Sequence, residues 1–91
     1  MLFAIHAIDK PDSLELRKAT RPAHLEFLAD YEIPVGGPLL DADGEMCGSC
    51  LILDVPDRAA AEAFIAGDPY GVAGLFQSVE LHEFMKVSWP R

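Results

Sequence analysis

Arg17, Arg21 and His24 stand four and then three residues apart. On a helix those spacings place all three on one stripe, so the three side chains can converge on one site. Histidine exchanges a proton near neutral pH, and two neighbouring cations disfavour its charged form, which leaves an imidazole able to accept a proton. The plainer alternative is a solvated helix face on which the arginines pair with Glu15 or Glu26. Asp68 lies between Gly67 and Pro69. Proline restricts the residue before it to extended conformations, so this carboxylate is held in place. Were it to meet His24, it would orient the ring and stabilise an imidazolium, as carboxylates do in acid–base sites. Read locally, it closes an Asx-type turn with its own side chain.

Other chemistry-bearing types are less well placed. Cys47-Gly48-Ser49-Cys50 has the C-x-x-C spacing of redox pairs and zinc half-sites. It falls in a strand, where positions three apart face opposite sides, and no second pair of cysteines or histidines completes a metal site. The two cysteines are expected to be small apolar fillers, and no metal or cofactor is expected. His6 and His82, flanked by apolar residues on strands, are expected to be hydrogen-bonded sheet histidines without a chemical role. Gly36-Gly37-Pro38 lacks the Lys-Ser/Thr of a phosphate-binding loop and marks a close backbone approach.

The elements that must position these residues follow from pattern. Leu2 to Ile8 is an apolar run of strand length, ended by Asp9-Lys10-Pro11. Asp12 and Glu15 have capping-box spacing, which starts a helix reaching about Asp30, with Leu16, Thr20, Ala23, Phe27 and Tyr31 as its apolar stripe. Pro22 removes one N–H and is expected to kink that helix near Lys18. Ile33 to Leu40 reads as an irregular edge strand, Asp41 to Gly44 as a hairpin turn, and Glu45 to Val55 as the third strand. Pro56-Asp57 caps a second helix from Arg58 to Ala66, and a tight loop, Asp68 to Gly71, follows. Leu75 to Val87 is the last strand, with Val79, Leu81, Met85 and Val87 on one face. The order βαββαβ is ferredoxin-like: one α+β domain, a four-stranded antiparallel sheet with two main helices on one face.

Composition narrows the partners. A chain of 91 residues with no interior linker is expected to be a single domain over its whole length. Seven basic against fifteen acidic residues, a net charge of -8, would repel nucleic acid and anionic lipid. The first residues lack the features of a signal peptide or membrane span, so a cytoplasmic location is expected. The first strand is apolar on both faces, which fits a homodimer whose second copy covers the face that the helices leave bare.

Taken together, Arg17-Lys18-Ala19-Thr20-Arg21-Pro22-Ala23-His24-Leu25, Gly37-Pro38-Leu39, Gly48-Ser49, Asp68-Pro69-Tyr70 and Phe84-Met85-Lys86-Val87 resemble the YciI-like (YCII-related) family over nearly the whole chain. The resemblance implies the dimeric α/β barrel arrangement and an active-site histidine and aspartate, which fall here on His24 and Asp68. A relative that dehydrochlorinates a chlorinated hydroxyquinol implies proton-transfer chemistry on small rings. The segment Asp41 to Gly44 is shorter than in many relatives, which would alter the lid of a pocket. The expected function is a cofactor-independent enzyme of the lyase or hydrolase kind. His24 shuttles the proton, Asp68 orients it, and Arg17, Arg21, Gly37, Ser49 and Tyr70 bind a small molecule. The alternative is a non-catalytic dimeric module that binds a small metabolite or a protein through the same cleft.

Overall fold

A computed structural model describes residues 1–89. Its elements are β1 (Leu2–Asp9), α1 (Leu14–Leu28), β2 (Glu32–Leu40), β3 (Met46–Asp54), α2 (Arg58–Gly67), a one-turn α3 (Pro69–Val72) and β4 (Phe76–Phe84). The strands form one antiparallel sheet in the order β2-β3-β1-β4, the ferredoxin-like α+β topology and the subunit fold of the dimeric α/β barrel class. The turns carry the expected chemistry. Asp41 Oδ1 accepts from the backbone N–H groups of Asp43 and Glu45, Gly44 takes a positive φ of 78°, and Asp57 caps α2 by accepting from the Ala60 N–H.

Phe3 and Ile5 of β1 and Leu51 and Leu53 of β3 pack against Ala61 and Phe64 of α2, with Phe27 and Leu28 of α1 and Tyr31 just beyond it closing the layer. Three aromatic rings tie α2 to α1 and to the turn that follows it: the Phe64 ring centre lies 5.4 Å from that of Phe27 and 4.8 Å from that of Tyr31. On the opposite sheet face Leu2, Ala4, Ile8 and Ile52 are half-buried and His6 and Cys50 are exposed.

Five expectations are corrected. Asp12 does not cap α1: it adopts φ 57°, Ser13 holds the cap position, and no side chain satisfies the first N–H groups. The turn at Pro11-Asp12 needs that left-handed residue, which aspartate tolerates better than most. The buried stripe of α1 is also shifted. Leu16 and Ala23 face solvent, whereas Arg17 and His24 are buried, because Arg17 finds partners in Asp9 and Ser49 of the sheet and His24 finds one in Asp68 at the end of α2. Asp68 to Val72 is not a loop alone: Pro69 pre-sets the first turn of α3. Finally, β4 ends at Phe84, leaving Met85 and Val87 exposed beyond it. Val79 and Leu81, paired with Ala7 and Ile5, do share one face. α1 runs as one helix through Pro22.

Candidate active site

Asp68 ends α2 and caps α3, at φ -60° and ψ 122°, the extended geometry that Pro69 demands. Its Oδ1 accepts two hydrogen bonds, from the Tyr70 backbone N–H at 3.0 Å and from His24 Nδ1 at 2.8 Å. The local turn and the meeting with His24 are therefore both present, made by one oxygen. A carboxylate only accepts, so Nδ1 carries the proton and the lone pair lies on Nε2. His24 is buried on α1, and its ring stacks on Tyr70 with centroids 3.9 Å apart and planes 21° from parallel.

Seven residues earlier on the same helix, Arg17 is 2% exposed. It forks onto Asp9, with Nε to Oδ2 at 2.7 Å and Nη2 to Oδ1 at 3.0 Å, and donates from Nη2 to Ser49 Oγ at 2.9 Å. Its guanidinium carbon also lies 4.4 Å from the centre of the Tyr70 ring. Burial works against the Arg17 charge, but the hydrogen bonds and attraction of Asp9 outweigh it and hold the group above its ordinary range. The pairing with Glu15 or Glu26 does not occur. Asp9 is the site residue that pattern reading passed over as a strand terminator. The signal was its parity, since Phe3, Ile5, Ala7 and Asp9 alternate onto the helix face.

Tyr70 is 1% exposed and its hydroxyl has no hydrogen-bond partner within the described residues. Burial pushes the hydroxyl's pKa up, against the lowering pull of Arg17 and Arg21, so it keeps its proton at neutral pH.

These groups border a cavity of about 430 Å³ between α1, the β2 edge and the tip of α3. Arg17, Arg21, His24, Gly37, Ser49 and Tyr70 all line it, and Asp68 sits directly behind His24. Leu25, Leu28, Ile33 and Leu51 supply an apolar wall. Gly36 and Gly37 serve differently. A Cβ at Gly36 would strike Leu51, whereas one at Gly37 would meet open space at the rim. Among the described residues no acidic side chain lines the cavity. Arg21 is exposed there and pairs with no carboxylate among the described residues, so the pocket is locally positive in an acidic protein.

The other singled-out residues lie apart. Cys47 and Cys50 are both free, and β3 parity sends them to opposite faces of the sheet. His6 and His82 are not buried sheet histidines: both are exposed, and His82 Nε2 lies 3.9 Å from Glu80 Oε2. Among the described residues no three potential ligands cluster to hold a metal ion. Among the described residues no helix is long and apolar enough to cross a membrane.

Residues 1–85 match the YCII-related domain. "Protein YciI" of Escherichia coli is 36% identical over 97 aligned positions, covering 96% of this chain and 99% of the relative. An uncharacterised protein of Haemophilus influenzae is 34% identical with the same coverage. Among solved structures, 5-chloro-2-hydroxyhydroquinone dehydrochlorinase from Burkholderia phenoliruptrix, in complex with 2,5-dihydroxybenzoquinone, is similar at a TM-score of 0.89 and 36% identity. The alignment covers 93% of this chain and 94% of that one. A NIPSNAP domain protein from Burkholderia xenovorans, at a TM-score of 0.58 and 13% identity, shares the fold alone; it covers 100% of this chain and 99% of that one. With its domain matched almost end to end and two relatives above one-third identity, the chain belongs to the YCII-related family.

Proposed function

We propose that the chain is a cofactor-independent enzyme of the lyase or hydrolase kind that moves a proton on a small anionic or phenolic molecule. The observation that carries this is the buried 2.8 Å hydrogen bond from His24 Nδ1 to Asp68, which fixes the tautomer of an imidazole lining a cavity. Nε2 of His24 is the base. Asp68 orients the ring and stabilises the imidazolium once the proton has moved. Arg21 attracts the anion, and Ser49 and Gly37 shape the pocket around it. The similarity to a dehydrochlorinase crystallised with 2,5-dihydroxybenzoquinone supports small oxygenated rings as the first molecules to test. A second copy of the chain covers the bare sheet face, which carries the half-buried Leu2, Ala4, Ile8 and Ile52.

The test is a turnover screen of hydroxyquinols, phenols, lactones and halogenated acids with the parent, His24→Ala and Asp68→Asn. A positioned acid–base group contributes roughly 10²–10⁴-fold, so both variants should slow by that order. Parental rates in both variants would leave a binding module in place of an enzyme.

A further inference from the structure

We propose that the cavity takes a small monocarboxylic acid with an apolar body, bound with its carboxylate at Arg21 and its hydrocarbon lying toward Leu28, Ile33 and Leu51. The inference deepens the acid–base reading of His24 by naming the ligand class of that site.

Three elements grade the cavity in the same direction. Along α1 the lining residues run Arg17, Arg21, His24, Leu25 and Leu28, so charge gives way to hydrocarbon within one helix. Leu28 lies seven residues after Arg21. That separation is roughly 10 Å of helix axis. β3 repeats the order across the cavity. Ser49 accepts from Arg17 at the polar end, and Leu51, two residues on, begins the apolar end, about 7 Å farther along the strand. β2 follows by register. Pro38 pairs with Ser49 and Gly36 with Leu51, and Ile33 lies beyond them, its Cγ2 3.1 Å from where a Gly36 Cβ would stand.

Each end has the chemistry of half a ligand. Arg17 is already balanced by Asp9, so among the described residues Arg21 is the one lining arginine that no carboxylate neutralises. One guanidinium matches one negative charge, and its fork fits a carboxylate. At the other end Leu25, Leu28, Ile33 and Leu51 carry no polar side-chain atom, so a second charge there would lose its water without compensation. Leu25 is 49% exposed and Leu28 and Ile33 are half-buried, which leaves apolar surface for a ligand to cover. His24 lies between the ends, three residues after Arg21 and four before Leu28. A ligand bound in this orientation therefore sets the first carbons after its carboxylate beside the imidazole.

The test is calorimetric titration of butanoate, pentanoate and hexanoate, with adipate and hexanamide as controls, at neutral pH. The proteins are the parent, Arg21→Gln, Leu25→Ser, Leu25→Ser/Ile33→Thr and His24→Ala. Full burial of a methylene is worth roughly 4-fold, so parental affinity should rise about 2–4-fold with each added carbon. Hexanoate should bind at least about 10-fold more tightly than adipate, whose second carboxylate meets the leucines, and than hexanamide, which lacks the charge. Arg21→Gln should lose about 10-fold for every acid and keep the rise with length. Leu25→Ser/Ile33→Thr should keep the preference for acid over amide and lose most of the rise. Leu25→Ser alone, a change at an exposed position that the fold tolerates, should lose part of it. Equal affinity for hexanoate and adipate, or for hexanoate and hexanamide, overturns the proposal. So does a rise with length that is absent from the parent or undiminished in both apolar variants, the latter placing the hydrocarbon outside this cavity. His24→Ala should bind the acids in the parental order. Acids that bind in that order while no compound of the turnover screen reacts would sink the acid–base reading alone. Turnover that depends on His24, with no acid bound at millimolar concentration, would sink this inference alone.

Discussion

Arg17→Met should be among the most destabilising single changes in this chain. The guanidinium makes two hydrogen bonds to Asp9 and one to Ser49, at 2% side-chain exposure for Arg17 and 6% for Asp9. Methionine fills much of the same space but leaves the Asp9 carboxylate buried without a counter-charge. Removing one partner of a buried ion pair costs about 3–5 kcal/mol, mostly the penalty of the stranded charge. A domain of 91 residues has a total stability of roughly 5–14 kcal/mol, so the loss is a large share of it. With a urea slope near the low end of the usual ~1–3 kcal/mol per M, the midpoint should fall by roughly 2–4 M. The double variant Asp9→Asn/Arg17→Met removes both charges and should recover part of the loss. Equilibrium urea unfolding followed by far-ultraviolet circular dichroism measures all three. A cost below about 1 kcal/mol for Arg17→Met, or a double variant weaker than the single, would refute the claim that Asp9 is the charge Arg17 compensates.

Gly48→Ala should cost about 1–3 kcal/mol in the same assay, because its Cβ would run into the Ala7 carbonyl oxygen across the β1–β3 ladder, whereas Gly37→Ala should be nearly neutral in stability and act only on ligand binding at the rim. Alkaline titration should destabilise the fold. The Tyr70 pKa is raised by burial, so between the ordinary tyrosine value of 10.0 and the higher folded value the unfolded chain has lost a proton that the native state keeps, and stability declines as pH rises through that window. Tyr70→Phe should flatten the decline seen by thermal unfolding between neutral and strongly alkaline buffer. Light scattering at micromolar concentration should return the mass of two chains, each of 9.9 kDa, and a monomeric mass would remove the second copy from the bare sheet face.

The alternation and turn chemistry of the sequence determined the βαββαβ order, since strands of period two, a proline-rich edge and an Asp-x-x-Gly turn each act over a few residues. The spacing of Arg17, Arg21 and His24 likewise determined that the three share a stripe, because helix geometry is local. Which stripe of α1 is buried was not legible. Leu16, Thr20 and Ala23 made as good an apolar face as Arg17 and His24 made a polar one, and the choice turns on partners supplied from β1, β3 and the α2–α3 junction. Asp9 lies 8 residues from Arg17, Ser49 lies 32 away, and Asp68 lies 44 from His24. Only the closed sheet brings those separations to hydrogen-bond length, so only tertiary structure could decide that a buried arginine and a buried histidine are stable there. The same is true of the unpartnered Tyr70 hydroxyl: its burial and lack of a partner arise from Arg17, His24 and Asp68 closing around it, and no short-range pattern encodes that.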